Sequence, residues 1–210
     1  THTSQGKLFF SPDLKEQIEG SESDNIVADD PYVMSKFEAE QKLWKISAKT
    51  GLEVVIIRLP LVYGPGVKGN LARLIKLIEF NFPLPLASIN NKRSMIGIEN
   101  VVDLIVRCID HPDAKGKTFL DSDGNDIATL DLLRYVASSM GRSVRLFSFP
   151  ISLLKLFGFV MRRQNEINRL VGSLQVDINY TKKTLNWTPI TGVEEGIRPV
   201  SYTHLRAHET

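Results

Sequence analysis

The spacing of apolar and polar residues along the chain alternates between helical and strand-like patterns. A helix is predicted from Asp30, as N-cap, and Pro31, at the first helical position, to about Lys49, where Thr50 and Gly51 stop it. Its apolar members recur with a helical period, and they are Phe37, Leu43, Trp44 and Ile46. Charged side chains between them are expected to face water or a neighbouring subunit: Glu38, Glu40, Lys42 and Lys45.

The uninterrupted apolar run from Val54 to Ile57 predicts a buried parallel strand, and a second short strand is predicted from Lys117 to Leu120. A turn is predicted from Leu61 to Gly66. Further helices are predicted over residues 69–81, 99–109, 129–140, 151–162 and 180–185. The alternation of helices with strands suited to a parallel sheet predicts an α/β fold.

Composition narrows the class of protein. The chain is 42% hydrophobic and 24% charged, and its net charge of +2 is too small to indicate a nucleic-acid partner. No secretory signal is seen, and no apolar run reaches the roughly 18 residues that a membrane span needs, so we expect a cytoplasmic protein without a membrane span. The single Cys108 lies in an apolar helical pattern and is expected to be a core thiol.

Tyr32 and Lys36 are the first candidates for chemistry. Their spacing places them one turn apart on one helix face, where the ammonium group would favour the ionised form of the phenol. A tyrosine in that position can accept a proton near neutral pH. A solvated surface pair is the alternative interpretation of this spacing when it is taken alone.

The segments downstream of the pair support the chemical interpretation. The order of Tyr32-x-x-x-Lys36, a long helix, and Arg58-Leu-Pro-Leu-Val-Tyr-Gly-Pro65 resembles the extended short-chain dehydrogenase/reductase superfamily, also called the NAD-dependent epimerase/dehydratase family. The stretches 58–70, 83–100 and 169–189 are similar to a branch that epimerises or reduces UDP-linked N-acetylhexosamines for bacterial surface polysaccharides. The resemblance covers roughly residues 25–198 and implies a doubly wound, Rossmann-type parallel sheet with a smaller α+β substrate domain.

The resemblance also implies roles for the residues around the reaction. Tyr32 would exchange a proton with a sugar hydroxyl, most plausibly at C4, and Lys36 would lower the pKa of the phenol and bind the nicotinamide ribose. Pro60, Leu61 and Val62 would face the nicotinamide of NAD or NADP. The family's further catalytic Ser or Thr is not assigned: Thr3, Ser4 and Ser11 are candidates by distance, and a residue before Thr1 is an equal alternative.

Substrate recognition is expected between residues 68 and 93. Arg93 matches the family's diphosphate-binding arginine, whose fork suits a phosphate group. Asn70 could meet the diphosphate, although an ordinary helix cap is equally expected. Arg169, with Ser173, matches a motif of the branch, and a helix-capping or salt-bridge role is its alternative. The segment Pro83–Leu86 suits a wall for a uracil ring or an edge of the core.

The chain contains no glycine-rich phosphate loop, so we expect an N-terminally truncated, inactive piece of an enzyme that is a homodimer when intact. Residues 1–63 would be the remaining cofactor domain and 64–200 mainly the substrate domain, with about 93–112 packing back on the first. Residues 201–210 look like a non-native tail, and His204 and His208 within it are given no metal. The two leading activities are C4 epimerase and C4-keto reductase, and a family member that binds without turnover is the alternative.

Overall fold

The computed structural model describes residues 7–10, 31–67 and 70–198. Its fold contains a three-stranded parallel sheet. Its three strands are β1 (Lys7–Phe10), β2 (Val54–Arg58) and β5 (Lys117–Leu120), in the order β1-β2-β5. Within β2, the side chains of Val54, Ile56 and Ile57 are buried, as the apolar run predicts for a strand covered on both faces. All three strands end at the same edge of the sheet.

A second, two-stranded parallel sheet begins directly after β2. It pairs β3 (Leu61–Tyr63) with β4 (Met95–Gly97), with Leu61 opposite Met95. The prediction of a turn beginning at Leu61 is therefore wrong, and the turn begins at Gly64. A Cβ at Gly64 would lie 2.7 Å from Cγ2 of Ile98, so glycine is needed where the two strands end.

The labelled α-helices of the described ranges are α1 (Pro31–Thr50), α2 (Asn70–Glu79), α3 (Ile98–Asp110), α4 (Thr129–Ser139), α5 (Ile151–Val160), α6 (Gln164–Val171) and α7 (Asn179–Leu185). A short 3-10 helix spans Pro112–Ala114, and residues 193–198 are helical. The predicted helix over 151–162 is too long. Arg162 adopts a left-handed backbone with φ of 54°, which ends α5 and lets α6 turn back.

The described residues pack into two apolar clusters. One joins the β2-β5 sheet to α3 and α7, and its buried members include Ile57, Leu104, Cys108, Phe119 and Leu185. Cys108 is a core thiol as predicted, and burial raises its pKa to about 12. The other cluster joins α2, α4 and α5, with members such as Ile75, Leu84, Leu86, Leu133 and Leu154. The side of this second cluster between α2, α4 and α6 borders a cavity.

Several predicted positions lie outside the described ranges, namely Thr3, Ser4, Ser11, Asp30, His204 and His208. Within the ranges that are described, His, Cys, Asp and Glu residues form no group of three suited to a metal ion. Among the helices of those ranges, none combines the length and the apolar character that crossing a membrane requires.

Candidate active site

A cavity of about 420 Å³ opens between α2, α4, α6 and the start of β4. Its walls are largely apolar, and the side chains that form them include Leu61, Leu71, Leu74, Met95, Leu132 and Leu170. Its charged lining consists of Arg73, Arg93, Arg169 and Glu166. An apolar cleft with a few convergent charged groups is the usual form of a small-molecule site. Three guanidinium groups against one carboxylate leave an excess of positive charge, which suits a ligand with about two negative charges.

Arg93 is held by hydrogen bonds of both its backbone and its side chain. Its backbone N–H donates to the carbonyl of Ile127 at 2.9 Å and its own carbonyl accepts from the Ile127 N–H at 3.0 Å. Its side-chain Nη1 donates to the carbonyls of Arg169 and, at 3.0 Å, Gly172. Burial and the neighbouring Arg169 lower the pKa of Arg93 from its ordinary value. The guanidinium is thus oriented and partly desolvated, a state in which an anionic ligand would stabilise it.

Arg73 and Glu166 close one side of the cavity with an ion pair between α2 and α6. Nη1 of Arg73 lies 2.8 Å from Oε2 of Glu166, and Arg163 approaches the same oxygen to 3.1 Å. These contacts, with that of Arg73 first, lower the pKa of the Glu166 carboxyl group. Both partners are solvent-exposed, so the pair contributes little to stability and its arginine can be drawn to another anion.

Asn91 supports the back of the cavity, and the sequence pattern does not predict this role. Its buried Nδ2 donates towards Oγ1 of Thr129 at 2.9 Å and the carbonyls of Leu170 and Gly172 at 3.1 and 3.0 Å. Its Oδ1 accepts from the Thr129 N–H at 2.9 Å. One amide therefore ties the end of α6 to the start of α4, which fixes the two sides of the cavity relative to each other.

The structure brings several predicted site residues together at this cavity. Leu61, Arg93 and Arg169 line it, and Asn70 begins α2 next to Leu71, which also lines it. Pro60 and Val62 flank Leu61 at the exit from β2. Of the two roles open to Pro83–Leu86, the core edge is the one observed, because Leu84 and Leu86 are buried there and do not line the cavity.

The helix that carries Tyr32 and Lys36 is anchored at the end of β2 by a buried ion pair. Glu40 accepts from Nη2 of Arg58 at 2.7 Å and from Nε at 3.3 Å. The expectation that Glu40 faces water is wrong: it is 4% exposed, and it is the only buried side chain among residues 34–50 of α1 that the structure describes. The carboxylate lies inside because the guanidinium of Arg58 satisfies both of its oxygens.

This pair also determines where Lys36 lies. Lys36 is one turn, about 6 Å, N-terminal to Glu40 on the same helix face. Three residues join α1 to β2, and the Glu40–Arg58 contact connects the middle of the helix to the last residue of the strand, so that turn extends beyond the carboxyl end of β2. The half-buried Lys36 therefore lies near the edge of the sheet at which β2 ends.

Tyr63 is a second tyrosine near this edge, and its surroundings exclude it as a proton acceptor. Burial, together with the hydrogen bond that its hydroxyl donates to Asp123 at 2.6 Å, raises its pKa well above the ordinary value. The same carboxylate accepts from the Gly97 N–H at 2.9 Å and from Asn100 Nδ2 at 2.6 Å. Tyr63 is a structural donor that joins β3 to the loop after β5.

Asp121, in the same loop, gives a prediction on pH dependence. It is fully buried, and no side chain among the described residues donates a hydrogen bond to its carboxyl group. Burial, with smaller additions from Asp123 and Asp103, raises its pKa to about 8, and the Ser122 backbone N–H offsets only part of this. The folded state therefore binds more protons than the unfolded state between about pH 4 and pH 8, so the free energy of unfolding falls as pH rises through this window.

We expect Asp121→Asn to reduce that fall by about 2–3 kcal/mol between pH 6 and pH 9, because the amide has no proton to lose. Urea unfolding of the two proteins at both pH values measures the difference. Asp110→Asn, an exposed aspartate at the end of α3, is the matched control and should leave the pH dependence unchanged. The prediction would be contradicted if the free energy of unfolding fell equally with pH in wild type and in Asp121→Asn.

Comparison with known proteins identifies the family of the chain. The family model described as "NAD dependent epimerase/dehydratase family" matches residues 9–120. The chain is 44% identical to a UDP-glucose 4-epimerase of Vibrio cholerae over 186 residues, which are 88% of this chain and 57% of that protein. It spans about half the length of the curated relatives that it matches.

Solved structures show the same fold. An epimerase from Methanothermobacter thermautotrophicus superposes with a TM-score of 0.74 at 14% identity, covering 97% of this chain and 60% of the other. The UDP-glucuronic acid 4-epimerase of Bacillus cereus, solved with UDP-glucuronic acid and NAD, gives a TM-score of 0.70 at 18% identity, covering 96% and 62%. The predicted α/β class is confirmed. On these grounds the chain belongs to the NAD-dependent epimerase/dehydratase family.

Proposed function

We propose that the protein encoded by the full reading frame acts on C4 of a UDP-linked hexosamine, as an epimerase or a 4-keto reductase, in surface polysaccharide biosynthesis. The observation that carries the proposal is the arginine-rich cavity beside Leu61, the first residue of the β3 strand. Its excess positive charge suits the diphosphate of a nucleotide sugar, and its apolar walls suit the uracil and sugar rings. Family membership supplies the reaction class.

The cofactor of this reaction would be NAD or NADP. The Glu40–Arg58 pair supports the fit, because it joins α1, which carries Lys36, to the end of β2, the strand that Pro60, Leu61 and Val62 follow. Lys36 would hold the nicotinamide ribose, and the backbone of residues 60–62 would face the carboxamide. When bound, the nicotinamide supplies reversible hydride acceptance.

The chain's own residues would handle the proton. Tyr32 would take the proton of the C4 hydroxyl as the C–H bond at C4 breaks, which leaves a 4-keto sugar, and would return that proton when the ketone is reduced. Lys36 would hold the phenol in its proton-accepting form. Arg93, with Arg169 and Arg73 beside it, would fix the diphosphate so that C4 stays within reach of Tyr32.

Arg93 gives a binding prediction. We expect Arg93→Leu to weaken UDP binding by about tenfold to a hundredfold, because a charge-assisted hydrogen bond to the diphosphate is lost. Isothermal titration of UDP into each variant measures the effect. Arg134→Leu, which removes an exposed arginine of α4 outside the cavity, is the control and should bind UDP like wild type. Equal UDP affinities in wild type and Arg93→Leu would place the diphosphate elsewhere.

The homodimer remains a proposal. It is supported by Met34 and Phe37, which lie about one helical turn apart on α1 and whose apolar side chains are exposed. A second copy that packs α1 against α1 would cover both side chains. Sedimentation velocity of the full-length protein, with Phe37→Ser as the disrupting variant, tests it.

The activity itself is tested with the full reading frame. It is incubated with UDP-N-acetylglucosamine and with the 4-keto-6-deoxy derivative, each with and without NADPH. Interconversion at C4 without added reductant identifies an epimerase, and loss of the keto sugar only with NADPH identifies a reductase. If neither occurs while UDP still binds, the protein binds nucleotide sugars without turnover.

A further inference from the structure

Helix α5 exposes an apolar stripe to solvent. Leu153, Leu156, Phe157 and Val160 have the i, i+3, i+4, i+7 spacing of one helix face, and they are 48%, 56%, 59% and 68% exposed. The opposite face is the one that packs, through Leu154. A helix of a folded protein normally shows the reverse arrangement, with the broad apolar face inside. An exposed apolar face of this extent indicates an interaction surface.

The stripe cannot turn inward, because α5 is fixed against α6. A Cβ at Gly158 would lie 2.6 Å from Cγ1 of Ile167, so the two helices approach as closely as a glycine allows. Leu154 is buried in the same apolar cluster against which Ile167 packs. The exposed face is therefore a fixed feature of the α5–α6 hairpin.

The charge around this stripe has a single sign. Residues 141–163 contain five Lys and Arg and no Asp or Glu, and the basic residues are Arg142, Arg145, Lys155, Arg162 and Arg163. Arg163 is paired with Glu166 of α6. Lys155 and Arg162 are exposed and form no ion pair with any described residue. Lys155 lies on a different face of α5 from the stripe, and Arg162 follows the end of the helix, so the same hairpin carries both the apolar surface and unneutralised positive charge.

We propose that α5 lies on an anionic lipid surface, with the apolar stripe buried at the boundary between headgroups and acyl chains. Phenylalanine and leucine on one helix face, with basic residues on another face and at the helix end, is the pattern of an interfacial helix. Anionic headgroups complement the basic residues and attract each of them. A second copy of the chain is a poorer partner, because a two-fold contact through α5 would bring the same positive charges together.

The proposal does not depend on the enzymatic function, since lipid binding can be measured without substrate. It does place the cavity close to the membrane. Helix α6, which packs directly on α5, carries Glu166, Arg169 and Leu170 of the cavity lining. A lipid surface on α5 would therefore lie one helix away from the ligand site.

Vesicle co-sedimentation of the full chain tests the proposal. We expect binding to vesicles of phosphatidylcholine mixed with phosphatidylglycerol, and at least about tenfold weaker binding to phosphatidylcholine alone or at about 1 M salt, where charges are screened. Phe157→Ser with Val160→Ser should weaken binding to the mixed vesicles by at least about tenfold. Lys155→Gln with Arg162→Gln should also weaken it by about tenfold or more.

Matched controls separate the stripe from general effects of substitution. Val102→Ser with Val106→Ser removes two exposed apolar side chains from α3, and Lys183→Gln removes a charge from α7. Both controls should bind mixed vesicles like wild type. The proposal is overturned if wild type does not bind mixed vesicles, or if the α5 variants and the controls bind equally. It is also overturned if α5 mediates lipid-free self-association, seen by sedimentation velocity as a dimer that Phe157→Ser with Val160→Ser dissociates.

Discussion

Replacing Tyr32 with phenylalanine in the full reading frame should lower kcat for C4 chemistry by about 10²–10⁴-fold, with a small effect on KM. A positioned proton acceptor usually contributes a rate factor of about this size. Phenylalanine keeps the ring and removes the hydroxyl that we propose exchanges the proton. KM should change little because the cavity arginines, which would bind the diphosphate, are untouched. Steady-state kinetics with the UDP-sugar measures both constants.

Tyr180→Phe is the matched control for this variant. Tyr180 is an exposed residue of α7 whose ring stacks on Phe119 at a centroid distance of 5.9 Å, a contact that phenylalanine preserves. Its kcat should equal that of wild type. If Tyr32→Phe retained full activity, another group would have to move the proton, and the assignment of Tyr32 and Lys36 would be wrong.

Glu40→Ala should destabilise the fold by about 3–5 kcal/mol, the largest stability effect that we expect from a single substitution in this chain. It leaves Arg58, whose side chain is 16% exposed, without the carboxylate that neutralises it. Urea unfolding measures the loss. Glu38→Ala is a control on the same helix: Glu38 pairs with Lys42 at 3.8 Å on the exposed surface, and its loss should cost less than about 1 kcal/mol.

A double variant distinguishes loss of pairing from loss of packing. Glu40→Leu combined with Arg58→Met removes both charges, and it should recover most of the stability that Glu40→Ala loses, because apolar side chains of similar volume can replace a buried ion pair. Equal losses for Glu40→Ala and Glu38→Ala would show that the pair does not anchor α1.

The elements with strong periodicity can be predicted from the sequence. The strand at Lys117–Leu120 is found as predicted, and α1 ends within one residue of the expected position. The strands β3 and β4 are not predicted because three residues are too few to show an alternation. The helix over 151–162 is predicted two residues too long, because no glycine or proline marks its end and the left-handed turn is made by Arg162. Helix α6 is not predicted.

The site can be predicted only in part. Arg93 and Arg169 stand out through their motifs, and both line the cavity. Arg73 and Glu166 are separated by 93 residues, and each alone resembles an ordinary surface residue of a helix, so their pairing is visible only in the fold. Glu40 is expected at the surface because its partner, Arg58, belongs to the next strand and a helical pattern gives no indication of it.

We propose that the full-length protein moves a hydride at C4 of a UDP-linked sugar. Incubation with UDP-N-acetylglucosamine that carries deuterium at C4, followed by proton NMR of the sugar, tests this proposal. We expect the C4 epimer with deuterium retained at C4, because the hydride that leaves that carbon returns to it. Protium from solvent at C4 of the epimer would contradict it, as would the absence of an epimer together with no NADPH-dependent reduction of the 4-keto sugar.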